Sequence, residues 1–488
     1  MNYGAIGGNI DRRTLIAGLS AGVGTLILNC GRQGPSNSAL PGDVTRLDLS
    51  EAASSVARRE ISPVELTKAC LERIDRLDQR LNSFITVTRE QAIEEARTAE
   101  HEIANGRLRG PLHGIPIAIK DNIDTAGVRT TAASSVFAER VPAEDAEIVK
   151  KLKAAGAVIL GKLNMHEFAG GTTSAISHYG AVHNPWELDH VAGGSSGGNG
   201  AAVAAGLCFG SVGTDTGGSI RIPASSCGVV GLKPTYDVVS TKGLVYVSRS
   251  FDHIGPICRT VADTALMFRA MTDKAAAKAF DPLSPPPVSD FRVGLLKAAV
   301  PICDAPVEQE VEAVFMDAVN VIRSLVANVR DADLPMPEFD DIIGAEEYAF
   351  HETYLSRSPE LYDPRTRENI LEGKKVSSTE YTRSLKQLAE HRRTIGTAFT
   401  DIDVVLCPTL PGLPIRIADA TEPFALNACT FAFSLGGLPA ISVPCGFSKT
   451  GLPIGLMIGG PPLSEGRLLA LAAAYQKITG WEKRRPSL

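Results

Sequence analysis

Residues 191–206 read VAGGSSGGNGAAVAAG, and the fold expected for the chain depends on what this glycine-serine stretch is. Such composition is typical of a flexible linker, but apolar segments flank the stretch closely. A phosphate-binding loop is disfavoured because the GxxxxGK[ST] lysine is missing. GxSxG occurs twice, centred on Ser195 and Ser196, yet the nucleophile elbow of an α/β-hydrolase needs a strand directly upstream, and NPWELDHVA does not have a strand pattern.

A second stretch, GTDTGGSIRIPASSCGVVGLKPT at 213–235, carries the features of a serine nucleophile. Ser219 follows two glycines just after an apolar strand. Backbone N–H groups freed by Gly217 and Gly218 can converge near its hydroxyl, which is what an oxyanion hole requires. A serine needs a base. No histidine is nearby in sequence, so a lysine at a strand end, with its pKa lowered by burial, is the candidate.

Around these stretches, apolar runs alternate with helical patterns. Buried strands are predicted at GIPIAIKDNID, AVILGKLN, CFGSVGTD, DVVLCPT, AISVPCG and IGLMIGG. Helices are predicted at 61–81, where Ser62 and Glu65 form a capping box, and at 90–104, 144–155, 260–271, 308–328 and 465–478. Unbroken apolar strands indicate a sheet covered by helices on both faces. We expect one α/β domain at 43–488, preceded by a segment 1–42 outside the fold.

The two glycine-serine stretches resemble the blocks that mark the amidase signature family, serine hydrolases with a Ser–cis-Ser–Lys triad. The supporting segments are LHGIPIAIKDNID, GKLNMHEFAGGTTS, HNPWELDHVAGG and GLPAISVPCGFSKTGLPIGLMIGG. Together the matches run from about residue 47 to about residue 480. The resemblance implies a single large α/β domain with a central mixed, twisted β-sheet covered by helices on both faces.

The resemblance also implies a role for each residue of the triad. Ser219 would be the nucleophile, and Ser195, after a cis peptide bond from Gly194, would be the bridging serine. Lys120 would be the ultimate base. The implied mechanism passes a proton from Ser219 through Ser195 to neutral Lys120, and an acyl-Ser219 intermediate is then hydrolysed by water.

Further residues match positions around the triad. The implied oxyanion donors are the backbone N–H groups of Thr216, Gly217, Gly218 and Ser219. The implied supporting polar residues are Ser196, Asp215 and Arg221. Small residues at Ala169 and Gly170 match the acyl pocket and leave room for a bulky or aromatic acyl group. The other pocket candidates are Phe137, Ile222, Tyr348, Tyr354 and Phe431, whereas His166 and Glu167 are expected in the core or at the rim.

Within the family, three features favour a stand-alone hydrolase. The first is an N-terminal export signal that contains Arg12 and Arg13. The second is Ile222, at a position where the glutamine-using subunits of the family commonly carry Gln. The third is the segment NMHEFAGG, which resembles aryl-amide and indoleacetamide-type hydrolases more than the NMDEF form of those subunits. The predicted function is therefore hydrolysis of small, aryl or bulky amides, with carbamates and esters chemically accessible through acyl-Ser219. The alternative is the glutamine-hydrolysing subunit of a tRNA-dependent amidotransferase. A non-catalytic ligand-binding relative would need a lost triad, and all three members are present.

Composition adds predictions about partners. The formal net charge is −6, with no basic run and no aromatic residues interleaved with basic ones, so no nucleic-acid partner is predicted. The nine cysteines form no CxxC pair, and the nine histidines form no HExxH, so neither a metal nor another cofactor is predicted. The expected partner is a small-molecule amide or carbamate. The sequence does not indicate an oligomeric state.

The N-terminus resembles a twin-arginine export signal. Arg12 and Arg13 precede a mildly apolar stretch, residues 14–28, which is too short to span a membrane. Cys30 is a candidate lipidation site and the only predicted membrane attachment, while SNS at 36–38 offers an ordinary cleavage site. The predicted location is periplasmic or extracellular, with the cytoplasm as the alternative.

Overall fold

The computed structural model of the chain describes residues 42–272, 286–296, 306–337, 340–421 and 426–488. The predicted signal residues Arg12, Arg13 and Cys30 lie outside this part, as does Cys303. Residues Asp43–Leu488 form one compact unit. None of the described helices has the length and apolar character needed to cross a membrane.

Among the described residues, eleven strands form one mixed sheet in the order β1-β3-β2-β6-β8-β7-β12-β13-β11-β9-β10, while β4 and β5 form a separate pair. The strands are β1 Phe84–Val87, β2 Pro116–Lys120, β3 Val158–Leu163, β4 His183–Asn184, β5 Glu187–Val191, β6 Gly210–Asp215, β7 Val230–Lys233, β8 His253–Cys258, β9 Arg292–Leu296, β10 Asn328–Ala332, β11 Val404–Pro408, β12 Ala440–Phe447 and β13 Pro453–Gly459. Strand β2 pairs in parallel with β3 and β6, whereas β6 pairs antiparallel with β8. Every residue of β2, β3 and β6 is buried, as their unbroken apolar runs predict.

Helices flank this sheet, so the predicted α/β class with a central mixed sheet is confirmed. They are α1 Leu49–Ala57, α2 Pro63–Leu81, α3 Arg89–Ala104, α4 Glu147–Ala154, α5 Gly197–Ala204, α6 Arg221–Cys227, α7 Val261–Met271, α8 Gln309–Arg323, α9 Ile342–Arg357, α10 Pro364–Glu372, α11 Ser378–Thr394, α12 Phe431–Leu435 and α13 Glu465–Thr479. In α2, Ser62 Oγ accepts the N–H of Glu65 at 3.1 Å and Pro63 opens the helix, as the cap pattern predicts. The glycine-serine stretch becomes α5, every residue of which is buried.

Two local predictions are wrong. The helix expected at 308–328 ends at Arg323, because Asn328 begins strand β10, which pairs in parallel with β9. The segment NPWELDHVA contains a strand after all, β5. That strand pairs with β4 outside the central sheet, so it does not provide the sheet edge on which a nucleophile elbow would stand.

Candidate active site

Lys120 is the last residue of strand β2 and is fully buried. The apolar run IPIAI carries the chain through the centre of the sheet and ends at this lysine. Its Nζ donates to Ser195 Oγ at 2.7 Å and to Thr214 Oγ1 at 2.7 Å. The structure therefore brings two of the three predicted catalytic residues into direct contact across 75 positions of sequence.

Burial sets the protonation state of Lys120. Removal from water lowers the pKa of Lys120 to about 7, although the negative charges of Asp252 and Asp215 act in the opposite direction. A lysine in water has a pKa of about 10.4 and is almost wholly protonated at neutral pH. Lys120 is therefore present in large part as the neutral amine near pH 7 and can accept a proton.

Ser195 lies between strand β5 and helix α5 and follows a cis peptide bond from Gly194, as the family resemblance implies. Its carbonyl oxygen accepts hydrogen bonds from the His166 N–H at 3.0 Å and from Ser174 Oγ at 3.2 Å. A Cβ atom on Gly194 would lie 2.7 Å from the backbone nitrogen of Thr173. Glycine at 194 thus lets a neighbouring loop pack against the turn that holds Ser195.

Ser196 joins the two glycine-serine stretches. Its Oγ donates to the Thr214 carbonyl oxygen at 3.1 Å and accepts the Thr214 N–H at 3.4 Å. Its own N–H donates to the Ser219 carbonyl oxygen at 3.2 Å. These bonds fix the Ser195 turn against the strand end that leads to Ser219, which is the supporting position predicted for Ser196.

Residues 216–219 form the turn after strand β6. Within the described part of the chain, the four backbone N–H groups of this turn donate to no acceptor, whereas the next N–H, of Ile220, donates to Asp215 Oδ2 at 3.1 Å. Gly218 has φ +143°, and a Cβ atom there would lie 2.7 Å from Ile222 Cδ1. Buried backbone donors without partners are rare. Of the four residues, Thr216, Gly218 and Ser219 are buried and Gly217 is partly exposed. Free backbone N–H groups at and next to Ser219 are suited to stabilise an oxyanion.

Exposure separates Ser219 from the other predicted catalytic residues. Ser219 is 5% exposed, while Ser195 and Lys120 are 0% exposed. Of the three buried residues, only Ser219 thus retains some solvent-accessible surface. This difference in exposure agrees with Ser219 as the nucleophile and with Ser195 and Lys120 as the buried groups that accept its proton.

An ion pair with no solvent exposure, between Arg221 and Asp215, stabilises the turn formed by residues 216–219. Arg221 donates through Nη2 to Asp215 Oδ1 at 2.8 Å and through Nε to Asp215 Oδ2 at 2.9 Å. Burial alone would raise the pKa of the Asp215 carboxyl, but the guanidinium outweighs it and keeps that pKa below its usual range. Arg221 also donates to the Thr430 carbonyl oxygen at 2.7 Å and to Ser434 Oγ at 2.9 Å, which ties the turn to helix α12.

Sequence reasoning missed three polar partners of this site. Thr214 contacts Lys120, and Asp252 Oδ1 accepts the Thr216 hydroxyl at 2.6 Å. Thr430 Oγ1 donates to the Gly217 carbonyl oxygen at 2.5 Å. Thr214 stands inside the quoted block GTDTGGS, so its place near a strand end was a usable signal. Asp252 and Thr430 lie outside every quoted block, and nothing local in the sequence marks them.

The pocket candidates separate into groups. Phe431 lies against the oxyanion turn, since a Cβ atom on Gly217 would lie 3.4 Å from its ring. A Cβ atom on Gly170 would lie 3.0 Å from the buried Glu347 Oε1, and a contact of Gly170 with substrate remains a prediction. Ala169, beside Gly170, packs in a small apolar cluster with Met165. Ile222 is fully buried behind Gly218.

The remaining candidates form an aromatic cluster of their own around Phe168. The Phe137 ring centroid lies 5.4 Å from that of Phe168 and 5.1 Å from that of Tyr354. Tyr348 packs at the edge of the same cluster and donates through its hydroxyl to Glu352 at 3.4 Å. A direct contact of these three residues with substrate remains a prediction.

His166 and Glu167 belong to the core. The His166 Nδ1 accepts the Ser174 N–H at 3.2 Å, and burial lowers the pKa of His166 to about 3, so the ring is neutral. Glu167 accepts the Ser134 hydroxyl at 2.7 Å and the Asp363 N–H at 3.1 Å. Both residues therefore position loops around the site.

Among the described residues, no group of three or more histidine, cysteine, aspartate or glutamate side chains could hold a metal ion. The seven cysteines in this part of the chain are buried.

Comparison with known proteins gives a consistent result. The sequence profile of the Amidase family matches residues 65–469. The A subunit of Glutamyl-tRNA(Gln) amidotransferase from Moorella thermoacetica is 40% identical over 486 residues, covering 91% of this chain and 98% of that protein. The crystal structure of the protein of the same name from Thermotoga maritima aligns with a TM-score of 0.73 and 33% identity, covering 90% of this chain and 96% of that one. The peptide amidase of Stenotrophomonas maltophilia aligns with a TM-score of 0.77 and 30% identity, covering 90% and 98%.

These relatives overturn the prediction of a stand-alone amidase for aryl or bulky amides. Curated proteins 36% to 40% identical over at least 90% of this chain are named as the A subunit of Glutamyl-tRNA(Gln) amidotransferase. The local features that suggested otherwise have structural explanations: Ile222 is a packing residue behind Gly218, and His166 is a neutral core residue. The third feature, the export signal, lies outside the described residues.

The prediction of a small-molecule partner without nucleic acid is also wrong. The relatives' shared name describes one subunit, hence an assembly, and an enzyme whose substrate is glutamyl-tRNA(Gln). The net charge of −6 and the lack of a basic run describe this chain alone and not an assembly. One member of an assembly can serve an enzyme that acts on RNA without carrying a basic surface of its own, because another member can make the phosphate contacts.

Proposed function

Because the chain belongs to the Amidase (amidase signature) family, we propose that it hydrolyses the side-chain amide of glutamine as a subunit of a tRNA-dependent amidotransferase. Its assignment as an amidase-type hydrolase follows from the family. The proposal that the substrate is glutamine and that the chain is an amidotransferase subunit rests chiefly on one observation. This observation is the 40% identity to the Moorella protein over 91% of this chain and 98% of that protein. The site geometry supports it, since Lys120 is hydrogen-bonded to Ser195, and the Ser196 N–H links the Ser195 turn to the carbonyl oxygen of Ser219.

In the proposed first step, Ser219 Oγ attacks the carbonyl carbon of the glutamine amide. Its proton passes to Ser195 Oγ while Ser195 gives its own proton to neutral Lys120, to which it is hydrogen-bonded at 2.7 Å. The carbonyl oxygen becomes an oxyanion that the free N–H groups of residues 216–219 stabilise. The positive charge on Lys120 is balanced in part by Asp252 and Asp215.

In the proposed second step, the relay runs in reverse. Lys120 returns its proton to Ser195, which protonates the leaving nitrogen, so that the C–N bond breaks and ammonia departs from acyl-Ser219. Water then attacks the ester with the same relay as its base and releases glutamate. Amides, carbamates and esters all fit this chemistry, so the acyl pocket must supply the preference for glutamine.

A substrate panel tests this function on the chain purified under native conditions from its own cells. Ammonia release from L-glutamine is compared with cleavage of an aryl p-nitroanilide and an aryl carbamate. We expect glutamine to be the preferred substrate and partner subunits to copurify with the chain. Cleavage of the aryl amide or the carbamate with a kcat/KM at least tenfold above that for glutamine, by a chain that purifies alone, would contradict the proposal.

Location offers a second check. An amidotransferase that acts on a charged tRNA works where tRNA is present, so the proposed function requires the cytoplasmic alternative of the localisation prediction. In fractionated cells we expect the full chain in the cytoplasm, with no change when Arg12 and Arg13 are both replaced by lysine. Recovery in the periplasm that is lost in the double-lysine variant would support the export signal and exclude this function.

A further inference from the structure

A buried histidine contacts the strand end from which the oxyanion turn, residues 216–219, begins. His253 is the first residue of strand β8 and lies opposite Asp215, the last residue of strand β6, in the antiparallel pairing of these strands. The histidine is buried, and its Nδ1 lies 3.1 Å from the backbone carbonyl oxygen of Asp215. The imidazole ring therefore contacts the peptide unit that leads into the turn.

Lys233 holds the other nitrogen of the ring. This lysine ends strand β7, the neighbour of β8 in the sheet, and is fully buried. Its Nζ lies 3.2 Å from His253 Nε2 and donates to the Pro234 carbonyl oxygen at 3.1 Å and to the Leu438 carbonyl oxygen at 2.6 Å. The ring is thus fixed at both nitrogens, on one side by a lysine and on the other by a strand end.

Hydrogen-bond chemistry shows which ring nitrogen donates. The Asp215 carbonyl oxygen can only accept, so the Nδ1 that faces it carries a hydrogen and donates. Burial lowers the pKa of Lys233 and of His253, and the positive charge of Lys233 lowers that of His253 further, so the two groups are not charged together. Whether the shared positive charge sits on the lysine or on the ring, Nδ1 remains the donor to Asp215.

The acceptor of this bond belongs to the same peptide unit as the Thr216 N–H. The unit is trans, so its C=O and N–H groups point in opposite directions. The ring holds the C=O side, and on the other side the Thr216 N–H donates to no acceptor in the described part of the chain. A hydrogen bond to the carbonyl oxygen also polarises the unit and strengthens its N–H as a donor.

The other polar contacts of these two residues act through their side chains. The Asp215 carboxylate accepts from Arg221, and the Thr216 hydroxyl donates to Asp252. Neither bond acts on the peptide plane between the two residues, whereas the bond from the His253 ring does. The ring is therefore placed to set the direction in which the Thr216 N–H points.

We propose that His253, held by Lys233, is a positioning residue that directs the Thr216 N–H towards the oxyanion formed when Ser219 attacks. The inference rests on the proposed function only for the assignment of residues 216–219 as oxyanion donors, and it holds for any amide that Ser219 cleaves. His253 acts through the peptide unit and not by contact with substrate. Its effect belongs to the transition state, because the oxyanion exists only after attack.

The test replaces the ring nitrogens and keeps the shape of the ring. The complex purified from native cells is assayed with L-glutamine and with an aryl p-nitroanilide, and thermal unfolding checks that each variant is folded. We expect His253→Phe to lower kcat about 10- to 100-fold and to change KM less than about twofold, since a displaced oxyanion donor costs somewhat less than a removed one. His253→Asn returns an N–H near the position of Nδ1 and should restore kcat to within about fivefold of wild type.

His391→Phe is the matched control. His391 is also a buried histidine, on helix α11. Its replacement by the same residue should leave kcat within about twofold of wild type. If His253→Phe does not fold, Lys233→Met keeps the ring but removes its Nζ contact, and we expect it to lower kcat about 3- to 10-fold with KM unchanged.

The inference is overturned if His253→Phe keeps kcat within about twofold of wild type, or if His253→Asn restores none of a loss. An unchanged kcat in Lys233→Met, where that variant is the one that folds, overturns it as well. The two substrates separate this inference from the proposed function. A wild type that cleaves the p-nitroanilide but not glutamine refutes the proposed function, while the ratio of variant to wild-type kcat on the p-nitroanilide still decides the role of His253.

Discussion

Ser219→Ala is expected to lower kcat by about 10⁴- to 10⁶-fold, the range seen when a serine hydrolase loses its nucleophile. Ser195 cannot replace it, because Ser195 is 0% exposed and engaged with Lys120. The oxyanion turn remains in the variant, so substrate binding and a small residual rate persist. The measurement is ammonia release from glutamine at saturating substrate.

Ser226→Ala is the matched control for this variant. Ser226 is fully buried seven positions downstream, and its Oγ has no hydrogen-bond partner in the described part of the chain. Its replacement should leave kcat within about twofold, since no bond is lost. More than about 1% of wild-type kcat in Ser219→Ala, with an unchanged Ser226→Ala, would refute Ser219 as the nucleophile.

Lys120→Ala is expected to lower kcat by roughly 10²- to 10⁴-fold, the usual contribution of a general base, with a smaller effect on KM. The wild-type rate should rise with pH through an apparent pKa of about 7, because only the neutral amine accepts the Ser195 proton. Below that pKa Lys120 is protonated and the relay stops. In Lys120→Ala this rise should disappear, and parallel pH–rate profiles measure both effects.

Lys162→Met separates loss of the base from loss of any buried lysine. Lys162 is likewise fully buried, and its pKa is lowered to about 8 by burial. It donates to Thr130 Oγ1 at 2.9 Å and to Thr125 Oγ1 at 3.2 Å rather than to a serine of the site. We expect Lys162→Met to alter stability but to keep the apparent pKa of the rate. If it removes the pH dependence and Lys120→Ala does not, the base is misassigned.

The local placement of Lys120, Ser195 and Ser219 could be predicted because short sequence blocks encode it, while their catalytic roles remain predictions. Lys120 follows an apolar run that only a buried strand explains, and the glycines around Ser195 and Ser219 permit turns that other residues would block. Ser196 lies beside Ser195 in the same block, so its supporting position was also predictable. Each of these assignments depends on neighbours within a few positions, which a sequence displays directly.

Partners from distant segments could not be predicted in the same way. Asp252 reaches Thr216 across 36 positions, and Thr430 reaches Gly217 across 213. Glu346 accepts hydrogen bonds from Ser248, Ser250 and Tyr381, whereas no donor in the described part of the chain reaches Oε1 of the buried Glu347. No local pattern in the sequence distinguishes these two glutamates. The orientation of helix α9 distinguishes them, and long-range packing sets this orientation.

The choice between branches of the family failed for a related reason. The sequence predicts a substrate contact at position 222, but in the fold the Ile222 side chain packs behind Gly218 and is fully buried. A residue type at one position reports function only when that position faces the substrate. Sequence identity over 91% of the chain averages over many positions, so it indicates the branch of the family better than the residue type at one position does.

Peptide mass spectrometry after rapid acid quenching tests the assignment of Ser219 and that of glutamine together. The complex from native cells is mixed with L-glutamine and quenched within one turnover, so that the covalent intermediate is trapped as an ester. We predict a γ-glutamyl group on the peptide that contains Ser219 and none on the peptide that contains Ser195 and Ser196. A γ-glutamyl group on Ser195 or Ser196 would contradict the assignment of Ser219 as the nucleophile. A Ser219 that is acylated by an aryl amide but not by glutamine would contradict the assignment of glutamine as the substrate.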